Sequence, residues 1–157
     1  MLTGHFEVMF DKAGRMTVPS RHRAQLAEDV LVCPALPPER HLLVYDSRAF
    51  QEFLDGLFRN ARITEDEEDL VRRVAGSAFD APMDKAGRIL VPQTLRERAG
   101  IDGTAVAVGV VDHLELWSPS RYEEWVRQGE TPEYGQKVRD VRTAMREELR
   151  AQARVGR

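Results

Sequence analysis

The sequence predicts an α+β fold made of two copies of one short β-rich unit, with peripheral helices and a helical tail. Three observations carry that expectation. First, Asp11–Pro19 (DKAGRMTVP) returns as Asp84–Pro92 (DKAGRILVP), with seven of nine positions identical at an offset of 73. Second, each copy is flanked by strand-like runs rich in Val, Leu and aromatic residues and is followed by a short helical pattern. Third, from about Gly135 the residues Val138, Val141, Met145, Leu149 and Ala153 recur three and four apart, the stripe of an amphipathic helix.

In the first unit a strand is expected near His5–Phe10, a turn at Asp11–Gly14 and a return strand at Arg15–Val18. Pro19 ends that pairing because proline has no N–H to donate. A helix over Ser20–Ala27, strands at Val30–Cys33 and Leu42–Tyr45, and an amphipathic helix at Ser47–Arg59 follow. The second unit repeats this order as strand Ser77–Met83, turn Asp84–Gly87, strand Arg88–Val91, helix Gln93–Ala99, strands Ala105–Val111 and Leu114–Trp117, and helix Pro119–Gln128. Val106, Val108 and Val110 alternate with smaller residues, as on a half-buried strand.

The likeness extends beyond the motif. Phe6 and Glu7 align with Phe79 and Asp80, and His41–Tyr45 (HLLVY) aligns with His113–Trp117 (HLELW) at an offset of 72. Phe50 and Phe53 fall opposite Tyr122 and Trp125. Between the copies the acidic run Glu65–Asp69 leads into a helix ending before Gly76. The expected organisation is a first repeat over 1–59, an acidic linker and helix over 60–75, a second repeat over 76–128 and a C-terminal amphipathic helix over 129–157. Arg139, Arg142, Arg146, Arg150 and Arg154 run beside the apolar stripe of that tail.

Composition narrows the function classes. Of 157 residues, 42% are hydrophobic and 31% charged, a balance that folds rather than stays disordered. No apolar run approaches the ~20 residues of a membrane-spanning helix, and Met1–Glu7 lacks the basic-then-apolar order of a signal peptide. A cytoplasmic location without a membrane partner is the expectation. Cys33 is the only cysteine, so no internal disulfide or multi-cysteine zinc site forms; it reads as a core residue rather than a nucleophile. His5, His22, His41 and His113 lack metal-ligand spacing, and no Gly-rich phosphate loop is present. Neither a cofactor, a metal nor a small-molecule substrate is expected. The duplicated Asp11 and Asp84 suggest a carboxylate dyad. Yet the loop reads DKAG, not the D-T-G or D-S-G of aspartic proteases, and the adjacent Lys and Arg favour two ionised carboxylates over one shared proton. No enzymatic activity is expected.

The turns have a mechanism. Each Asp carboxylate can accept from the backbone N–H groups that follow it, and glycine supplies the positive φ a three-residue loop needs at its end. Asp11, Gly14, Asp84 and Gly87 are thereby assigned to making the turns. Arg15 and Arg88, opening the return strands, have no such structural assignment, and Lys12 and Lys85 sit at the turn tips. Charge is distributed accordingly. Residues 11–23 carry +3 and residues 84–98 carry +2, so the remainder of a chain whose net charge is −3 carries −8. Basicity confined to two copies of one motif suits a nucleic-acid-binding face on an acidic body.

The opening Met1…Gly4, then D-x-x-G-R-x-x-x-P-x-x-x-R from Asp11 to Arg23 and D-x-x-G-R-x-x-x-P-x-x-L-R from Asp84 to Arg96, resembles the MraZ family of bacterial regulators of the division and cell-wall gene cluster. The resemblance spans nearly the whole chain. It implies two tandem swapped-hairpin units of the AbrB type forming a small pseudo-two-fold barrel, assembly into closed rings, and binding to repeated boxes upstream of the protein's own operon. It implies a repressor associated with the nucleoid. Carried onto this chain, it makes Arg15 and Arg88 the leading DNA contacts, with Lys12 and Lys85 meeting phosphates. Arg21, Arg23, Arg96 and Arg98, on or beside the short helices, are second candidates. Two departures from the pattern stand out: Ala13 and Ala86 occupy places where a second lysine is frequent, and His22 stands where an apolar residue is frequent, which reads as a partly buried, hydrogen-bonded histidine. An alternative role is an AbrB-like antitoxin or protein-interaction module whose tail grips a partner, although antitoxins of this type carry one hairpin unit per chain.

Overall fold

Short strands of alternating character, separated by turn and cap residues, set the order of elements. The computed structural model describes residues 1–57 and 64–155. In chain order these form β1 (His5–Met9), β2 (Arg15–Thr17), α1 (Ser20–Leu26), β3 (Val30–Pro34), β4 (Leu42–Asp46), α2 (Ser47–Leu57), α3 (Glu65–Gly76), β5 (Phe79–Asp80), β6 (Arg88–Leu90), α4 (Gln93–Ala99), β7 (Thr104–Val110), β8 (His113–Trp117), α5 (Pro119–Gly129) and α6 (Pro132–Val155). Phe58 and Arg59 of the expected Ser47–Arg59 helix, and the boundary between residues 59 and 60, lie outside the described residues.

Helix ends follow from capping chemistry. Thr64 and Glu67 exchange reciprocal bonds, with Thr64 Oγ1 accepting from the Glu67 N–H (3.3 Å) and the Thr64 N–H donating to Glu67 Oε2 (2.7 Å). Glu65, Asp66, Glu67 and Glu68 are therefore the first turn of α3 rather than a linker before it, where they complement the positive end of the helix dipole. α6 begins at Pro132, three residues before the expected Gly135, because Thr131 Oγ1 accepts from the Tyr134 N–H (3.2 Å) and proline is at home at a first helical position.

Residues Met1–Pro119 form one compact unit and Ser120–Arg157 a second. In the first unit a six-stranded antiparallel sheet runs β1-β7-β8-β4-β3-β5, and β2 and β6 form a separate two-stranded ribbon. The sheet is open, with β1 and β5 at its edges, and so differs from the closed barrel expected. β5 is too short to close it: of the expected strand Ser77–Met83 only Phe79 and Asp80 enter the ladder. Ala81 N–H and Met83 N–H still donate to Val30 O (2.7 Å) and Glu28 O (2.9 Å), and Pro82, which has no N–H, falls between them.

The two strands flanking each turn do not form the local ladder that the sequence suggests. β1 pairs with β7 and β2 with β6. β3 pairs with β5 as well as β4, and β4 with β8. Between β1 and β2 remain one bridge, Phe10 with Met16, and the Asp11 N–H to Arg15 O bond (2.9 Å). The reason lies in burial. A three-residue strand covers its inward side chain only when a second such strand lies beside it, and Met16 meets Ile89 across the ribbon with both fully buried.

Side-chain alternation then sorts the core into two layers. Val30, Val32, Leu42 and Val44 face a cluster that also holds Met16, Val18, Ile89 and Val91 of the ribbon segments and Leu114 and Leu116 of β8. Leu31, Cys33, Leu43 and Tyr45, on the other face, pack with Ala49, Phe50, Phe53 and Leu54 of α2 and Leu70 and Val74 of α3. Cys33 is fully buried, and burial pushes its thiol up to about 12, which leaves it a core residue and not a nucleophile. In the second unit, α6 carries Val138, Val141, Met145 and Leu149 exposed. The side chains of Ala153 and Arg154, at the end of the expected stripe, lie outside the described residues.

Because strands of both repeats share one core, the compact unit should unfold in a single transition. Ile89→Ala should cost about 2–5 kcal/mol, measured by chemical denaturation. Two separable transitions, or a loss below about 0.5 kcal/mol, would contradict this interleaved core.

Candidate nucleic-acid interface

Each DKAGR turn is built by one carboxylate. Asp11 Oδ1 accepts from the Ala13 N–H and the Arg15 N–H, both at 2.9 Å, and Asp11 Oδ2 accepts from Arg15 Nε at 2.9 Å. The second turn repeats this: Asp84 Oδ1 accepts from Ala86 N–H and Arg88 N–H at 2.9 Å, and Oδ2 from Arg88 Nε at 2.8 Å. The Gly14 N–H closes on Asp11 O (2.9 Å) and the Gly87 N–H on Asp84 O (2.8 Å). These closures place the glycines at φ +84° and +76°, the left-handed region where a Cβ is strained.

The carboxylates are ionised at neutral pH. The backbone bond from Arg15, its side-chain bond and its charge hold Asp11 below the usual value of 3.8, and Arg88 does the same for Asp84. The pair is therefore two independent Asp–Arg units, not a dyad sharing a proton. Each Asp thus makes its turn and also aims its arginine. The ion pair runs through Nε, and a guanidinium held this way keeps its Nη1–Nη2 edge, the fork that fits two phosphate oxygens or guanine O6 and N7.

The ribbon brings the two turns together. Arg15 lies opposite Leu90 and Thr17 opposite Arg88, while Met16 and Ile89 fill the buried face between them. Arg15, Thr17, Arg88 and Leu90 therefore share the outer face. Arg15 and Arg88 are diagonal neighbours, a relation that spaces residues about 7–8 Å apart. Each guanidinium is paired with its own carboxylate, which offsets repulsion between the two like charges. Side-chain exposures of 43% for Arg15 and 39% for Arg88 leave both reachable. Lys12 and Lys85 are exposed within the turns.

The second set of arginines divides. Arg98 is exposed on α4, beside a cleft of about 410 Å³ formed with Pro34–Leu42. Arg21, also exposed, lies 5.4 Å over the Phe6 ring and donates through Nε to His22 Nε2 (3.0 Å). His22 is buried and stacks on Phe6 with ring centroids 5.2 Å apart, a packed, hydrogen-bonded histidine as the sequence suggests. Burial first, then the Arg21 charge, lowers its pKa, which suits a neutral ring accepting at Nε2; its Nδ1 has no partner. Arg23 and Arg96 are half-buried, with Nε donating to Val18 O (2.7 Å) and Val91 O (3.1 Å). Sequence reasoning missed Thr17 and Leu90 as outer-face neighbours of the leading arginines. Period-two alternation counted from Arg15 and Arg88 was the available signal.

Comparison with known proteins identifies the family. The family model described as "MraZ protein, putative antitoxin-like" matches the chain twice, over residues 1–73 and 74–141. The chain is 37% identical to the transcriptional regulator MraZ of Lachnoclostridium phytofermentans over 123 residues, which is 78% of this chain and 85% of that one. It is 33% identical to that of Moorella thermoacetica over 82% of this chain and 88% of the relative, and 32% identical to that of Roseiflexus castenholzii over 78% and 85%.

The lowered Asp11 and Asp84 pKa values fix a sign. A carboxyl depressed by folding contributes stability above its unfolded pKa of about 3.9 and loses it as pH falls through the lower folded value. Titration followed by carboxyl-carbon NMR should place both residues below 3.8, with turn amides shifting only in that acid range. A midpoint at or above 3.8 for either residue would show that its turn is not carboxylate-built.

Proposed function

The chain belongs to the MraZ family, and we propose that it is a DNA-binding transcriptional regulator whose paired turns meet promoter DNA. One observation carries this reading above the others: Arg15 and Arg88 come from different repeats, 73 residues apart in the chain, yet share one exposed ribbon face, each held by its own aspartate. Arg15 and Arg88 contact base edges or phosphates, Lys12 and Lys85 meet phosphates, and Arg21 and Arg98 extend the basic margin. Asp11, Gly14, Asp84 and Gly87 hold the turns. Strand pairing across the repeats supports reading each repeat as an AbrB-like swapped hairpin, with both turns presented by one body.

Two turns per chain neutralise few phosphates, so a single chain binds weakly and salt erodes that binding. Assembly into a closed ring joins many turns, and where spacing matches repeated boxes the avidity gain reaches ~10²–10⁴. The proposed target is the promoter of the division and cell-wall cluster that includes the protein's own gene, with repression as the outcome and the nucleoid as the place of action. A second reading, an antitoxin-like interaction module, draws on the exposed Val138, Val141, Met145 and Leu149 of α6.

A gel shift on the protein's own upstream DNA tests the first reading. Arg15→Ala and Arg88→Ala should each weaken binding about tenfold or more. The double variant should lose nearly all specific binding while folding and oligomer mass stay unchanged. The salt dependence of binding should become shallower by about one per phosphate contact removed. Unaltered binding by the double variant rejects the DNA-contact role and favours the interaction module.

A further inference from the structure

We infer that Arg23 and Arg96 are positioning residues, each holding the recognition turn of the opposite repeat rather than meeting DNA itself. This deepens the DNA-binding reading and rests on it. Antiparallel pairing of β2 with β6 sets the end of each strand beside the other repeat's turn. The Val18 N–H donates to Gly87 O (2.8 Å) and the Val91 N–H to Gly14 O (2.9 Å). The helix after each strand therefore begins next to the foreign turn. From α1, Arg23 folds back to Val18 O, and from α4, Arg96 folds back to Val91 O.

In those positions the guanidiniums lie against bare backbone. A Cβ at Gly87 would stand 2.2 Å from Arg23 Nε and 2.3 Å from its Cζ. A Cβ at Gly14 would stand 3.0 Å from Arg96 Nη2 and 3.5 Å from its Cζ. The turn glycines therefore answer two demands at once: a positive φ and an open seat for an arginine from the other repeat. Arg96 grips its turn from a second side, with Cζ 5.4 Å from the ring of Phe10, the residue before Asp11. An arginine whose Nε is committed to a carbonyl and whose plane packs on a turn is poorly placed to follow a phosphate. It is well placed to fix the turn that carries Arg88 or Arg15. Lysine keeps the charge but has neither the planar fork nor an Nε donor.

The assignment predicts coupling across the repeats: Arg23 with Arg88, and Arg96 with Arg15. In full-length protein, hydrogen exchange read by mass spectrometry should speed up in 84–88 for both Arg23→Ala and Arg23→Lys, while 11–15 is unchanged. Arg96→Ala should do the reverse. In gel shifts on the upstream DNA, Arg23→Ala should weaken binding about fivefold to tenfold in an Arg15→Ala background, yet less than about twofold in an Arg88→Ala background, with the salt slope of each parent kept. Equal losses in both backgrounds with a slope shallower by about one would make Arg23 a direct phosphate contact. Equal losses with both turns exchanging faster would make it a general fold residue. Either result overturns the proposal. If the Arg15→Ala, Arg88→Ala double variant binds like wild type, the DNA reading fails while the exchange result still decides the clamp.

Discussion

The pairing of β2 with β6 is the constraint on which the rest depends. It is only three residues long on each side, and its strength comes from what it covers: Met16 and Ile89 are fully buried and join the same cluster as the sheet strands. Because the ribbon's inner face is committed to the core, its outer face is committed to solvent, and period-two alternation puts Arg15 and Arg88 there. Break the pairing and the two turns become independent loops on a chain with net charge −3. Keep it, and one small patch holds two oriented guanidiniums.

Much of this was legible in the residues. The DKAGR repeat announced two equivalent turns, and Asp and Gly announced how they close. The structure adds that the same Asp Oδ1 serves two backbone donors while Oδ2 aims the arginine. What could not be read was partnership. A strand's own pattern shows which side chains turn inward, not which distant strand lies alongside, so β1 and β2 read as one hairpin although each ladders with the other repeat. The segment before the second turn reads as a strand over Ser77–Met83, yet only Phe79 and Asp80 enter the ladder; the Ala81 and Met83 N–H groups still reach Val30 O and Glu28 O, and Pro82 between them turns its donor-less nitrogen to the open edge. Arg23 and Arg96 were visible as part of a spaced motif, but their contacts depend on the cross-repeat pairing and so could not be assigned from spacing.

Electrostatics explains why an acidic protein can present a basic face. Each leading arginine has its own carboxylate, so the patch is locally balanced and tolerates two guanidiniums as diagonal neighbours. The Nη1–Nη2 edge of each guanidinium can take further acceptors without displacing the Nε bond that sets direction. Positioning therefore comes at little cost in net charge; in the proposed DNA-binding role, the affinity a single patch lacks would come from the number of patches joined together.

The two repeats are equivalent in their turns but not in what surrounds them. Opposite Arg88 stands Thr17, with a hydroxyl that can donate to a phosphate; opposite Arg15 stands Leu90, 40% exposed, with only methyl groups to offer. Arg23 lies tighter on Gly87 than Arg96 does on Gly14. A ribbon with perfect two-fold symmetry presents the same face in either orientation. This ribbon is polar at one arginine and apolar at the other, so its face has a direction. Sequence duplication conserved the device that makes and aims the turn, while the intervening strand positions diverged on the side that faces solvent. Divergence there changes the outer face without disturbing Met16 and Ile89 beneath, and the alternation that hides those two side chains is also what leaves Thr17 and Leu90 free to differ.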